Sequence, residues 1–151
     1  MFIGASKVSL DSKGRLAIPT RHRERIIARG DGHLVATIDR DHCLLLYPQP
    51  DWEEIARQLV RLPGLKKQAR RLQRLMLGHA TEIEMDGHGR VLLPAVLREF
   101  AGLERQVMLI GQGHKFEVWD EQRWLDSCTG WLDRDDDDAA GLEDELKSFP
   151  L

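Results

Sequence analysis

The chain has 151 residues, 42% of them hydrophobic and 31% charged, with a formal net charge of -3; that composition supports one ordinary core or two small ones. It contains no run of about 18 apolar residues, and the N-terminus lacks the charged-then-apolar order of a secretory signal, so neither a membrane span nor an export leader is expected and the cytoplasm is the default compartment. Cys43 and Cys128 have no C-x-x-C spacing, which favours buried free thiols over a disulfide framework or a thiolate metal site.

In chain order, Val8 and Leu10 alternate as in a half-buried strand, "DSKGR" at 11–15 reads as a turn, and "RLAI" continues beyond it, together predicting a hairpin. Pro19 suits the first turn of a short helix, where a missing N–H is not needed. Strands "LVATI" and "CLLLY" follow, around the turn "DRDH". Asp51 and Glu54 then resemble a capping box that opens a helix with Trp52, Ile55, Ala56, Leu59 and Val60 on one face, ended by Pro63 and Gly64. Next, "LKKQARRLQRLMLG" sets Lys66, Lys67, Arg70, Arg71 and Arg74 opposite Leu65, Ala69, Leu72 and Met76. This basic connector suits either a solvated helix packed on the core or one that docks on a neighbouring subunit with its bases towards nucleic acid.

The pattern then repeats. A shift of 75 residues pairs Asp11 with Asp86, Gly14 with Gly89, Arg15 with Arg90, Pro19 with Pro94 and Arg23 with Arg98; later a shift of 72 pairs Tyr47 with Trp119 and Trp52 with Trp124. Ile83 and Met85 therefore precede a second hairpin, "RVLL" follows it, Gly102 stops a short helix, and "QVMLI" and "FEVW" form strands around "GQGH". Asp120 opens a final helix with Trp124, Leu125, Cys128, Trp131 and Leu132 on one face, and both aromatic stripes are read as packing surfaces. The expected organisation is one unit over 1–62, a connector over 63–78, a second unit over 79–132 and an acidic tail over 133–151.

Charge is distributed unevenly over these parts. Residues 133–151 carry eight acids and two bases, which leaves the remainder at +3. Arg15, Arg21, Arg23, Arg25 and Arg29 face only Glu24, and Arg57 to Arg74 contains seven bases and no acid. Attraction depends on local fields, screened over about 8 Å at physiological salt, so the body suits an anionic partner despite the overall charge.

The repeated turn has an internal logic. Asp11 and Asp86 can accept backbone N–H groups two residues on, and Gly14 and Gly89 supply a positive φ. Neither role requires the arginine that follows, so Arg15 and Arg90 are expected to project from the tips as cations, with Lys13 and His88 beside them. Double-stranded DNA offers phosphates and guanine edges to such a pair, and Arg21, Arg23 and the connector bases would add attraction.

The stretches "VSLDSKGRLAIPTRHR", "CLLLYP", "RRLQRLMLGHA" and "KFEVWDE", in this order, strongly resemble the MraZ family over residues 1 to about 126. The resemblance implies an α+β protein whose two tandem SpoVT-AbrB-like β units, with short helices, form an intramolecular pseudo-dimeric β fold. It further implies a nucleoid-associated, sequence-specific DNA-binding regulator. Such a regulator would act on the promoter of the division and cell-wall gene cluster, its own promoter included, usually as a repressor, and assemble into a ring-shaped homo-oligomer. No cofactor, metal, membrane or small-molecule substrate is expected. Ile3 stands where members often carry arginine, which removes one cation near the N-terminus. The tail lies beyond the recognisable unit and is expected to weaken non-specific DNA binding by competing for the basic surfaces.

An enzyme is the weaker alternative. The run "DRDDDD" does not fit an EF-hand, because Asp138 stands where glycine would fall if Asp133 were the first ligand. Histidines at 22, 33, 42, 79, 88 and 114 form no H-x-x-x-H pair. A protein-interaction module is the stronger rival, since AbrB-like folds also serve antitoxins that bind through a disordered tail.

Overall fold

The computed structural model describes residues 1–133 and 142–150. Contacts divide the chain into a compact unit, Met1–Glu121, and a smaller one, Gln122–Leu151. The first unit holds β1 (Phe2–Ser9), β2 (Arg15–Ala17), α1 (Thr20–Gly30), β3 (His33–Ile38), β4 (Leu44–Pro48), α2 (Gln49–Val60) and α3 (Lys67–Met76), followed by β5 (Thr81–Glu84), β6 (Arg90–Leu92), α4 (Ala95–Phe100), β7 (Gln106–Gly113) and β8 (Phe116–Asp120).

Six strands form one antiparallel sheet in the order β1-β7-β8-β4-β3-β5. The order is palindromic with respect to the duplication, because β1, β3 and β4 come from the first copy and β5, β7 and β8 from the second. Each copy lends its first strand to the other. Thus β1 lies along β7 from Phe2 opposite Gly113 to Ser9 opposite Gln106, and β5 lies along β3. The seam is the β4–β8 pair, centred on Leu45 opposite Glu117, which are equivalent positions in the two copies. A second sheet contains only β2 and β6, centred on Leu16 opposite Val91. This exchange realises the pseudo-dimeric α+β fold implied by the family resemblance.

The predicted hairpins are corrected by this pairing. The turns exist, but only an isolated bridge between Leu10 and Leu16 joins the strands flanking the first. The chain reverses at each turn and then leaves its partner, because Leu16, Ile18, Val91 and Leu93 are all fully buried in the shared core. Apolar burial between copies outweighs extension of a local ladder. Strands β3 and β4 are buried along nearly their whole length, since α2 and α3 cover the face of the sheet that the core leaves.

The helices differ from expectation in detail. Helix α2 starts at Gln49, two residues before Asp51, with Pro48 at its N-cap, Pro50 in its first turn and no side-chain cap. The capping box is therefore absent: Asp51 pairs with Arg29 at 3.1 Å and Glu54 with Arg57 at 2.7 Å. Proline's fixed φ starts the helix without help from a side chain. Helix α4 ends as predicted, with Gly102 at φ +62° and the Leu103 N–H donating to the Arg98 carbonyl at 2.9 Å.

Connector helix α3 packs on its own chain. Ala69 and Met76 are buried, Leu75 touches the core, and the Met76 carbonyl accepts the buried Thr37 hydroxyl at 2.6 Å. Gln73 donates to the Leu59 carbonyl at 2.9 Å, which ties α3 to α2. Leu65, placed on the apolar face by the sequence pattern, precedes the helix and is 96% exposed.

In the smaller unit, α5 (Glu121–Asp133) contains no buried residue; Leu125 and Leu132 are 49% and 85% exposed, and Trp124 meets Trp131 edge to face at 5.9 Å. The packing stripe expected here is thus not buried among the described residues. Of the acidic tail, 134–141 and 151 lie outside the described residues. The short α6 (Glu143–Leu146) follows, with Lys147 paired to Asp144 at 2.9 Å.

Candidate nucleic-acid interface

Two loops, Asp11–Arg15 and Asp86–Arg90, are built identically. In the first, the Asp11 carboxylate oxygen Oδ1 accepts the N–H groups of Lys13 and Arg15, each at 2.9 Å. The Gly14 N–H donates to the Asp11 carbonyl at 3.0 Å, with Gly14 at φ +84°. In the second, Asp86 Oδ1 accepts from His88 and Arg90 at 2.9 Å, and Gly89 stands at φ +75°. Both conformations favour glycine, because a Cβ is rarely tolerated at positive φ.

The arginines do not extend freely from the tips, as the strand geometry had suggested. Arg15 Nε donates to Asp11 Oδ2 at 2.6 Å and Arg90 Nε to Asp86 Oδ2 at 3.1 Å. The reason is local: the loop amides orient each carboxylate through Oδ1, which leaves Oδ2 facing the next strand residue. These donors act on the acids. The Arg15 amide, then its guanidinium and the Lys13 amide, hold Asp11 down to about 2, and the Arg90 amide leads the same effect on Asp86. Each arginine is folded back through Nε, while no hydrogen bond among the described residues occupies its terminal amino groups. Lys13 and His88 are exposed at the tips.

The small sheet brings the loops together. Arg15 pairs with Leu92 and Arg90 with Ala17, so residues 15, 17, 90 and 92 share one face while Leu16 and Val91 occupy the buried one. Arg15 and Arg90 are diagonal neighbours on that outer face, a relation that puts backbones about 7–8 Å apart. The result is a short two-stranded ribbon with two guanidinium groups on its solvent side.

The other predicted cations lie in different environments. Arg21 is exposed and donates to the Ser6 hydroxyl at 2.7 Å. Arg23 is half-buried, donates to the Ile18 carbonyl at 2.7 Å, and lies over Gly89 of the second loop. Its equivalent, Arg98, donates to the Leu93 carbonyl at 3.0 Å and lies over Gly14 of the first. Arg98 was absent from the sequence-derived site, although the repeat pairs it with Arg23. Lys66, Lys67, Arg71 and Arg74 are exposed, whereas Arg70 is tied to the Gly64 carbonyl at 2.8 Å.

Among the described residues, one set could offer three metal-ligating atoms: Asp39, Cys43 and Glu117, all within 4.8 Å of one another. Burial and the carboxylates of Glu117, Asp39 and Asp41 push the Cys43 thiol far up, which opposes a thiolate ligand. The set belongs to the β4–β8 seam and not to the loops. No helix among the described residues is long and apolar enough to cross a membrane.

The family model for MraZ protein, described as antitoxin-like, matches residues 1–75 and again 76–130, one match for each copy. The chain is 52% identical over 151 residues to a protein named transcriptional regulator MraZ from Thioalkalivibrio sulfidiphilus, and 53% identical over 152 residues to its namesake from Halorhodospira halophila; both alignments cover all of each chain. A namesake from Methylococcus capsulatus is 54% identical over 144 residues, covering 95% of this chain and 93% of its own.

Proposed function

The chain belongs to the MraZ family, and from that premise we propose that it is a transcriptional regulator that reads double-stranded DNA with the paired loops Asp11–Arg15 and Asp86–Arg90. One observation carries this reading: Arg15 and Arg90 share the outer face of a two-stranded ribbon. A major groove admits such a ribbon, and an arginine fork fits the O6 and N7 acceptors of guanine. Lys13 and His88 would meet flanking phosphates, and Arg21 with the exposed connector bases would add salt-dependent attraction. Asp11 and Asp86 keep each loop in shape and hold its arginine by one nitrogen.

The family resemblance supports a wider role. It comprises repression of the division and cell-wall gene cluster through a promoter upstream of the chain's own gene, association with the nucleoid, and assembly into a ring of identical subunits that multiplies modest contacts. The chemistry is recognition, with no reaction assigned. The test is binding of the purified chain to its upstream promoter and to scrambled DNA across a salt series, for wild type, Arg15→Ala and Arg90→Ala. Wild type should prefer the promoter, and each variant should lose that preference by about 1–3 kcal/mol per bidentate contact. Equal binding of both DNAs by the wild type would sink the reading.

The antitoxin-like description of the family model favours one second reading, a protein-interaction module. The two part at the tail: removing 133–151 should spare promoter recognition by the loops, whereas an antitoxin that binds through its tail would lose its partner.

A further inference from the structure

We propose that Arg98 and Arg23 are positioning residues that set the DNA-facing loops from across the duplication: Arg98 of the second copy holds loop Asp11–Arg15, and Arg23 of the first holds Asp86–Arg90. The inference rests on the DNA-reading function proposed above.

Each loop is enclosed by a circuit of three groups. The Leu93 N–H donates to the Gly14 carbonyl at 3.1 Å, the Leu93 carbonyl accepts Arg98 Nε at 3.0 Å, and the Arg98 guanidinium returns over Gly14. On the other side, the Ile18 N–H donates to the Gly89 carbonyl at 2.8 Å, the Ile18 carbonyl accepts Arg23 Nε at 2.7 Å, and Arg23 lies over Gly89. A Cβ at Gly14 would stand 2.5 Å from Arg98 Cζ and Nε. Glycine is therefore required twice over, by its φ and by the guanidinium above it.

The arrangement asks for arginine specifically. A flat guanidinium can lie against a peptide while Nε donates sideways to a carbonyl; a lysine ammonium has neither the plane nor that nitrogen. Both side chains are half-buried and engaged, which distinguishes them from exposed Arg21 and Lys13. The second copy thus fixes where Arg15 stands, and the first fixes where Arg90 stands.

The test is a set of double-mutant cycles on promoter DNA, with loop amide exchange measured on the same full-length variants. Arg98→Ala should weaken promoter binding roughly tenfold in the wild-type and Arg90→Ala backgrounds, and have almost no effect once Arg15 is already alanine. Arg98→Lys should behave like Arg98→Ala, with the salt slope unchanged. Exchange at Leu93 and Gly14 should accelerate while His88 and Arg90 stay as they were.

A direct phosphate contact predicts the opposite pattern: Arg98→Lys would retain binding, Arg98→Ala would lower the salt slope by about 1, and its effect would add to that of Arg15→Ala. That pattern, or coupling to Arg90 instead of Arg15, overturns the proposal. If Arg98→Ala melts below the assay temperature, Arg98→Lys carries the cycle. If the wild type shows no promoter preference, the DNA reading fails on its own, and the exchange data still decide whether Arg98 holds the first loop.

Discussion

His22 illustrates how one residue can differ between copies that share a fold. It is 6% exposed, set edge-on to Phe2 at 5.8 Å and to Phe116 at 5.0 Å, where the second copy has the buried Leu97. Burial, reinforced by the Arg21 charge, lowers its pKa from 6.5. The unfolded chain then binds the proton more readily, so the stability this site supplies is complete above about pH 6.5 and is lost as pH falls through the lower folded value. Denaturation midpoints should fall between pH 7.5 and pH 5, and His22→Leu should remove that part of the fall. An unchanged pH profile in His22→Leu would place the effect elsewhere. Asp11, by contrast, is held down to about 2 by the loop amides and the Arg15 guanidinium, so at neutral pH it is the carboxylate that accepts those hydrogen bonds.

Residue types made much of the loop legible in advance. The D-x-x-G-R spacing implied an aspartate that accepts loop amides and a glycine at positive φ, and both geometries occur. What spacing could not reveal was the fate of Arg15 after Asp11 had been turned by two amides, because that depends on which carboxylate oxygen remains free. Arg98 was hidden for a related reason: its target, Gly14, is distant in sequence and is approached only because the copies interlock.

Among elements, β2 and β6 have the greatest leverage for their length. Three residues each, they align the loops and bury Leu16 against Val91 with no exposed area. Leu16→Ala should cost about 2–5 kcal/mol, the range for a leucine that leaves a cavity in a close-packed core. Urea denaturation measures it, and a loss under 1 kcal/mol would mean the ribbon is not part of the shared core. The alternation around the turns identified these strands, but not their partners. Alternation specifies which face is apolar and leaves the neighbouring strand open. The connector was similarly half legible: Ala69 and Met76 are buried as the pattern implied, Leu65 precedes the helix and is exposed, and α3 packs on its own chain, where the Met76 carbonyl accepts the Thr37 hydroxyl.

For the whole molecule, interleaving makes the two copies one folding unit. Residues 1–75 alone would leave β1 without β7, β2 without β6 and β4 without β8. That fragment should show no cooperative unfolding as a monomer, and should gain structure only by pairing with residues 76–151 or with itself. Sedimentation with denaturation would detect this, and a monomeric fragment with a sharp transition would contradict it. Internal repetition was readable from matched residues, whereas the pseudo-dimeric arrangement came only through the family resemblance, because separate and exchanged copies have the same sequence pattern.

A dimer of one gene product presents its partner with two identical hands, and the operator mirrors that symmetry as a palindrome. Here the hands are joined in one chain and have grown apart: Lys13 stands opposite His88, His22 opposite Leu97, Leu45 opposite Glu117. Such a head has a direction. If the loops read DNA as proposed, it should tell one end of its site from the other, so that its best sites run as oriented repeats and exchanging Lys13 with His88 reverses the preferred orientation on a site with unequal halves. Equal affinity for both orientations in the wild type would show that the divergence is silent to DNA.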